Sequence, residues 1–222
     1  MALFHFGYEI AKVDYFAAYV RKLAADAECP KFVQIGANDG RRFDNLYNIV
    51  TAQRLPGIVI EPLADVFEEL VRNYRPYPEV VPVRYAIHPS AESVPIFRVA
   101  PDRLGKYPDW AAGIASLDPE HYRRSKIEPE DIIAEMVPAM PLMPLLDRYS
   151  AIDANILQID TEGFDADILA MIDFSRFHPA LIKFEHRHLG EEKFSAAINL
   201  LQKNGYRLKN AGSDMIAFRE PY

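Results

Sequence analysis

A chain of 222 residues, 50% hydrophobic and 26% charged, is long enough for one domain with a substantial core. Its net charge of −7 argues against a general nucleic-acid or anionic-membrane surface, since such partners reward clustered Lys and Arg, and Arg123, Arg124 and Lys126 form only a local basic patch. Cys29 is the single cysteine, which excludes an intrachain disulfide and a cysteine-based zinc cluster; with no apolar run near the roughly 20 residues of a membrane span and no basic-then-apolar leader, a cytoplasmic setting is expected.

Residues 8–28 carry apolar side chains at helical spacing (Ile10, Val13, Phe16, Ala17, Val20, Leu23, Ala24), which predicts an amphipathic helix ahead of the core fold. Its expected role is to cover one face of a sheet; a border on the substrate entrance or a homodimer contact is the alternative. Residues 1–30 are therefore set apart as a helical extension and 31–222 as the main domain.

The stretch 31–40, K-F-V-Q-I-G-A-N-D-G, organises the rest of the chain. Phe32, Val33 and Ile35 read as a buried strand, and 36–40 as a small turn that gives way to a helical pattern over 41–53. Backbone approaches a ligand closely only where side chains are absent, and a following helix offers unpaired N–H groups to anions, so Gly36 and Gly40 predict a nucleotide-type site. Asp39 reads first as an N-terminal cap. Next, 57–62 (G-I-V-I-E-P) reads as a second buried strand ending on Glu61, a carboxylate suited to the two hydroxyls of a ribose. A helix over 63–74 and a third strand over 80–87 come after it, with Ala86 and Ile87 expected near an adenine.

Residues 93–100 look like an extra β segment, and 101–129 mix proline, glycine, charges and Trp110 without periodicity. A loop that long inside a compact domain is usually functional or mobile, and a substrate-side lid is expected there. Trp110 with Tyr107, Tyr122, Arg123 and Arg124 reads either as a substrate wall or as packing that holds the lid down. A short strand over 135–140 and a short helix over 141–149 come next. Regular alternation then returns: a strand over 155–160, a helix from 165, a strand over 180–185, a helix over 191–203 and a terminal hairpin around 211–214. Such alternation forces mostly parallel pairing with right-handed crossovers, hence an α/β three-layer αβα sandwich with an antiparallel terminal strand.

Asp160 and Glu162 follow one strand, with Gly163 behind them, and Glu185, His186 and His188 end the next. Their bland reading is helix capping, a job for which Asp165 is also available. The sharper reading is convergence on a substrate hydroxyl whose proton they take, with His186 as the base. The same acids suit a hard divalent cation such as Mg²⁺, and histidine would tilt the site towards a transition metal.

A dinucleotide fingerprint starting at Gly36 needs glycine at 38 and 41, where this chain has Asn38 and Arg41. Instead Q-I-G-A-N-D-G over 34–40, I-E-P over 60–62 and L-Q-I-D-T-E-G-F-D-A-D-I-L over 157–169 resemble, in order and spacing, the FkbM-type family of class I S-adenosylmethionine-dependent methyltransferases. The piece G-I-A-S-L over 113–117 resembles a further G-x-x-S-L element of such sequences, which adds Ser116, although a turn that merely docks Leu117 explains it as well. One position departs, since Gln34 stands where the family usually has an acid.

The resemblance implies a Rossmann-like class I methyltransferase fold with S-adenosylmethionine over the Gly36 turn and O-methylation of a hydroxyl on a sugar or secondary metabolite. Cofactor contacts are expected from Gln34, Gly36, Ala37, Asn38, Gly40, Glu61, Ala86 and Ile87. Catalytic roles fall to Asp160, Glu185 and His186, and substrate contacts to Trp110, Ser116 and Glu162. Two other classes stay open: an NAD-type oxidoreductase on the same sheet, and a non-catalytic adaptor that kept the fold.

Overall fold

The computed structural model describes residues 14–26, 30–42 and 46–219. The stretch 8–13 of the predicted leading helix, and Cys29, lie outside them. In chain order the elements are α1 (Tyr15–Asp26), β1 (Phe32–Ile35), α2 (Leu46–Gln53), β2 (Gly57–Ile60), α3 (Ala64–Tyr74), β3 (Val80–Val83), β4 (Ala86–Ile87), β5 (Ser93–Val99), β6 (Ala115–Ser116), β7 (Ile132–Met140), α4 (Leu142–Arg148), β8 (Ile156–Ile159), α5 (Asp165–Ala170), β9 (Leu181–Glu185), α6 (Glu191–Lys203), β10 (Arg207–Asn210) and β11 (Asp214–Phe218).

β1 and β8 are buried at every residue, as strands covered on both faces must be, and they lie side by side in the middle of a seven-stranded sheet ordered β10-β11-β9-β8-β1-β2-β3. Pairing from β3 through β9 is parallel, and β11 runs antiparallel to both β9 and β10. The period-two alternation of β1 sends Phe32 to one face and Val33 and Ile35 to the other. Phe32 packs with α1, α2 and α3 through Phe16, Val20, Leu46, Leu70 and Tyr74; Val33 and Ile35 pack with α4, α5 and α6 through Leu142, Leu145, Ile168 and Leu201. This is the expected three-layer αβα sandwich. The buried stripe of α1 (Phe16, Ala17, Val20, Leu23) covers the sheet, the first of the roles its spacing suggested.

The strand predicted over 80–87 is two strands in two sheets. Pro82, which lacks an N–H, sits in β3 at the open edge of the main sheet, the place where proline does least harm. After Arg84 and Tyr85 the chain leaves this sheet, and β4 pairs instead with β7 in a separate four-stranded sheet ordered β4-β7-β5-β6. β5 and β7 pair antiparallel along seven positions, from Ser93 with Pro138 to Val99 with Ile132, so β7 begins earlier than the segment expected over 135–140. A cluster of Leu63, Ala86, Val94, Ile96, Val137 and Ala139 joins this sheet to the start of α3, and buried Arg98 donates a two-pronged pair to Asp65 at 2.6 and 3.0 Å.

Residues 101–129 form short 3₁₀ turns and β6. They build a core of their own, with Ala111, Ile114 and Ile127 packed on Val99. Asp131, buried at the foot of β7, accepts from Lys106 Nζ at 2.9 Å and from Tyr107 Oη at 2.6 Å, and these bonds hold its carboxyl below the usual range. Tyr122 packs into the same small core. Of the alternatives left open for the aromatic and basic residues here, packing therefore accounts for Tyr107 and Tyr122.

Gly40 belongs to packing. At φ +77° a Cβ there would sit 2.6 Å from the Tyr74 ring and 2.7 Å from Leu70, so the turn after β1 can nest against α3 only with glycine. Gly40→Ala is expected to cost about 3 kcal/mol in urea denaturation, combining left-handed strain with overpacking. Gly105→Ala, with open space around the added carbon, is the control and should stay within about 0.5 kcal/mol. Equal unfolding midpoints for the two variants would contradict this role.

Candidate functional site

The order of the main sheet reverses between β1 and β8, and open α/β sheets bind ligands outside the strand ends at such a point. Gly36, at φ +75°, leaves β1 there, and a Cβ on it would lie 1.7 Å from the carbonyl oxygen of Asp160 at the end of β8. Glycine is thus what lets the two strand ends meet.

The turn differs from expectation in one respect. Its N–H groups are not free for an anion: Gly36 and Ala37 donate to Ile60 O at 3.0 and 2.9 Å, and Gly40 donates to Ala37 O. Asn38 donates to Glu61 Oε2 at 3.1 Å and Asp39 to Asn38 Oδ1 at 2.8 Å. Arg41 N and Arg42 N donate to Asp39 Oδ1 at 2.8 and 2.7 Å, so Asp39 closes a turn; the helix expected from residue 41 begins at Leu46, and Asp39 is not seen to cap it. A pyrophosphate needs such donors unengaged. The turn is therefore built for a ligand without phosphate at this position.

Beside it opens a cavity of about 290 Å³. One side is lined by Gln34, Gly36, Ala37, Asn38 and Glu61, a second by Ala86, Ile87 and Leu63, and the cover by Trp110 and Leu117. Asp160, Thr161 and Glu162 line the remaining wall. Glu61 is 6% exposed, and its two oxygens accept from Asn38 N and Leu63 N, the latter at 3.0 Å. Burial raises its pKa to about 7 against the pull of those two bonds.

A second group of side chains gathers behind Asp160. Thr161 Oγ1 donates to buried Asp165 at 2.7 Å, and Asp165 also accepts from Glu185 N at 3.0 Å, which ties the loop after β8 to the end of β9. Glu162, in left-handed backbone at φ 53°, places Oε2 at 2.8 Å from His121 Nε2 and 3.4 Å from His188 Nε2. Glu185 Oε1 lies 3.7 Å from His188 Nε2. Burial, and after it repulsion from neighbouring carboxylates, raises Asp160 to about 8 and Glu185 to about 9, while burial raises Asp165 to about 6 against its hydrogen bonds from Thr161 and Glu185 N. Asp160 is open to the cavity, so water there tempers its burial. His188 is lowered, by burial more than Glu162 restores.

Of the residues predicted for the site, Gln34, Gly36, Ala37, Asn38, Glu61, Ala86, Ile87, Trp110, Asp160 and Glu162 line this one cavity. Gly40 packs on α3 instead. Ser116 is buried and binds internally, donating to Glu162 O at 2.8 Å and accepting from Asp118 N at 3.1 Å. Glu185 stands behind the cavity wall. His186 turns away: its ring stacks on Phe194 and its Nε2 lies 3.0 Å from Gly212 O. Arg123 and Arg124 bind within the protein, Arg124 Nη1 donating to His188 O at 2.9 Å. His121 was missed, because a lone histidine in an aperiodic segment carries no sequence signal.

A parallel sheet with its cavity at the switch point, a glycine turn without phosphate donors, and an acid closing the second strand define a Rossmann-like class I methyltransferase fold. Residues 34–208 match the family described as Methyltransferase FkbM domain, and the chain belongs to that family. It is an S-adenosylmethionine-dependent methyltransferase; neither the NAD-type nor the adaptor reading is needed. Among solved structures it is similar to methyltransferase FkbM from Methylobacillus flagellatus KT, at 12% identity and TM-score 0.49, over 85% of this chain and 43% of that one. It is also similar to precorrin-6y C5,15-methyltransferase from Geobacter metallireducens GS-15, at 12% identity and TM-score 0.44, over 94% and 93%. A third, Aeropyrum pernix fibrillarin with natively bound S-adenosyl-L-methionine, shares 13% identity at TM-score 0.40, over 86% and 66%. Comparison with curated proteins gives no match.

The residues fit the cofactor. Glu61 keeps lone pairs beside two backbone bonds for a ribose diol, and the apolar wall at Ala86 and Ile87 suits a base. The acids also set a pH dependence. Glu61 and Glu185 hold protons in the folded state that the unfolded chain, with an ordinary value of 4.5 for each, has lost. Stability therefore falls as pH rises between each ordinary value and the raised one, each such proton counting about 1.4 kcal/mol per pH unit before solvent screening. Lowered His188 opposes this only below its ordinary 6.5, so the melting temperature should fall from pH 6.5 to pH 9. A calorimetric melting series that is flat or rising across that window would contradict it.

Proposed function

We propose that the enzyme methylates a hydroxyl oxygen of a sugar or other secondary-metabolite small molecule. The observation that carries this reading is the cavity that unites Glu61, the Gly36 turn and Asp160 under the cover of Trp110 and Leu117. It holds about 290 Å³, at the low end of the roughly 300–1,000 Å³ usual for ligand sites, which suits a small acceptor at its mouth.

S-adenosylmethionine, when bound, supplies a methyl group already made electrophilic by a cationic sulfonium. Alignment and proton removal are left to the chain. Glu61 accepts the ribose hydroxyls, Gln34 and Asn38 serve the amino-acid end, and Ala86 with Ile87 bounds the base. Asp160 is the group that faces the acceptor and, in its ionised form, takes its hydroxyl proton. Glu162 and Glu185 stand behind it, and the 101–129 segment excludes water from the cavity. His186 has no part in the chemistry.

Further parts of the reading come from composition and from α1. A single cysteine suits a reducing, cytoplasmic compartment, and a net charge of −7 keeps nucleic acid out of the partner list. Among the described residues no helix is long and apolar enough to cross a membrane. α1 commits its apolar stripe to the sheet, so a homodimer through that helix is not part of the proposal. A divalent cation beside the cavity is part of it, and Asp160, Glu162 and Glu185, with one oxygen from each within 4.8 Å of the others, offer it carboxylate ligands.

Calorimetric titration with S-adenosylhomocysteine, with NAD as control, tests the donor half. Binding in the micromolar range is expected, weakened at least about 100-fold in Glu61→Ala through loss of charge-assisted bonds. Affinity should also drop as pH falls through about 7, where Glu61 gains its proton. Turnover on a panel of hydroxylated acceptors should fall at least about 100-fold in Asp160→Ala with S-adenosylhomocysteine binding kept. Turnover unchanged in that variant would sink the assignment of Asp160.

A further inference from the structure

His121, Glu162 and His188 come from three separate parts of the chain: the segment between β6 and β7, the loop after β8 and the loop after β9. Their donor atoms nevertheless lie within 4.8 Å of one another. Glu162 Oε2 stands 2.8 Å from His121 Nε2 and 3.4 Å from His188 Nε2, and the two rings meet edge to face at 4.7 Å between centroids. Donors 2.0–2.1 Å from a tetrahedral ion are about 3.3 Å apart, so this spacing closes around an ion with side-chain adjustments of under about 1 Å. Neighbouring bonds hold both loops in place: Ser116 Oγ donates to Glu162 O at 2.8 Å, and Arg124 Nη1 to His188 O at 2.9 Å.

Two further observations point the same way. His121 is buried with Nε2 turned to Glu162, and its Nδ1 has no protein partner, so no neighbouring bond opposes the tautomer with the proton on Nδ1 that a metal at Nε2 requires. Glu185 Oε2 is likewise buried without a partner, while Oε1 lies 3.7 Å from His188 Nε2, which supplies a second carboxylate at the rim of the triad. Asp160, Glu162 and Glu185 bring carboxyl oxygens together in one corner, where a dication would offset their mutual repulsion.

We propose that His121, Glu162 and His188 bind a borderline-soft divalent ion of the Zn²⁺ or Co²⁺ kind, and that the ion fastens the 101–129 segment over the cavity. Two imidazoles and one carboxylate favour such ions, whereas Mg²⁺ demands an all-oxygen octahedron and keeps its waters. His121 is the one ligand carried by the covering segment; the other two stand on the main sheet's loops. Binding therefore links cover to sheet. The inference rests on the cavity being the donor site, but its test does not need turnover.

Full-length protein freed of metal with a chelator is titrated with Co²⁺, followed by visible absorption, and with Zn²⁺ by calorimetry, with Mg²⁺ as the control ion. Expected are one equivalent bound at micromolar affinity or tighter, no displacement by millimolar Mg²⁺, and slower backbone hydrogen exchange over 101–129 on binding. His121→Ala and His188→Ala should each weaken binding at least about tenfold, while surface His178→Ala should not. Retained S-adenosylhomocysteine binding shows that the variants are folded. If wild-type protein binds the ion but not S-adenosylhomocysteine, the donor reading falls and the ion site stands. Failure of wild-type protein to bind Zn²⁺ or Co²⁺ stoichiometrically, or affinity unchanged in both histidine variants, overturns the proposal.

Discussion

The contact on which the rest depends is the approach of Gly36 to the Asp160 carbonyl. Glycine, with no Cβ, is what lets the ends of β1 and β8 meet at the same level, and both strand ends line the cavity. The turn after Gly36 then bends back on β2, with Ile60 O receiving both Gly36 and Ala37, and the same curvature sets Asn38 N on Glu61. A turn that engages its own N–H groups has nothing to offer a pyrophosphate and loses nothing with a cofactor that lacks one.

The main sheet and the floor of the site were legible in the sequence because each depends on local pattern. Buried β1 and β8 read as apolar runs, Gly36 marks the turn, and Glu61 and Asp160 are acids at strand ends, where side chains face a ligand edge. The features that were not legible depend on pairings between distant segments. Nothing in V-V-P-V-R-Y-A-I says that Ala86 and Ile87 leave one sheet for another; β7, almost fifty residues on, decides it. The 101–129 segment reads as irregular because its order comes from Asp131 and a core shared with Val99, neither within it. His186 and His188 are indistinguishable as sequence, and only the strand's exit sends one towards Gly212 and the other towards Glu162. Gly40 looked like a ligand glycine for the same reason Gly36 did, and only the neighbouring Tyr74 tells them apart.

Charge distribution shows what the fold gives up for the site. Asp160, Glu162, Asp165 and Glu185 crowd one sheet edge, and their mutual repulsion and desolvation work against stability at neutral and higher pH. Such a cluster is tolerated where the groups are wanted for proton transfer or for holding a cation. Asp165 alone has an evident structural purpose, binding the β8 loop to β9.

The central claim is that the switch-point cavity holds a nucleoside through Glu61. A crystal structure of the S-adenosylhomocysteine complex tests it most directly. Ribose hydroxyls within hydrogen-bond distance of the Glu61 carboxylate, with the adenine beside Ala86 and Ile87, are the expected result. A nucleoside seated elsewhere, or a ribose that makes no contact with Glu61, would contradict it.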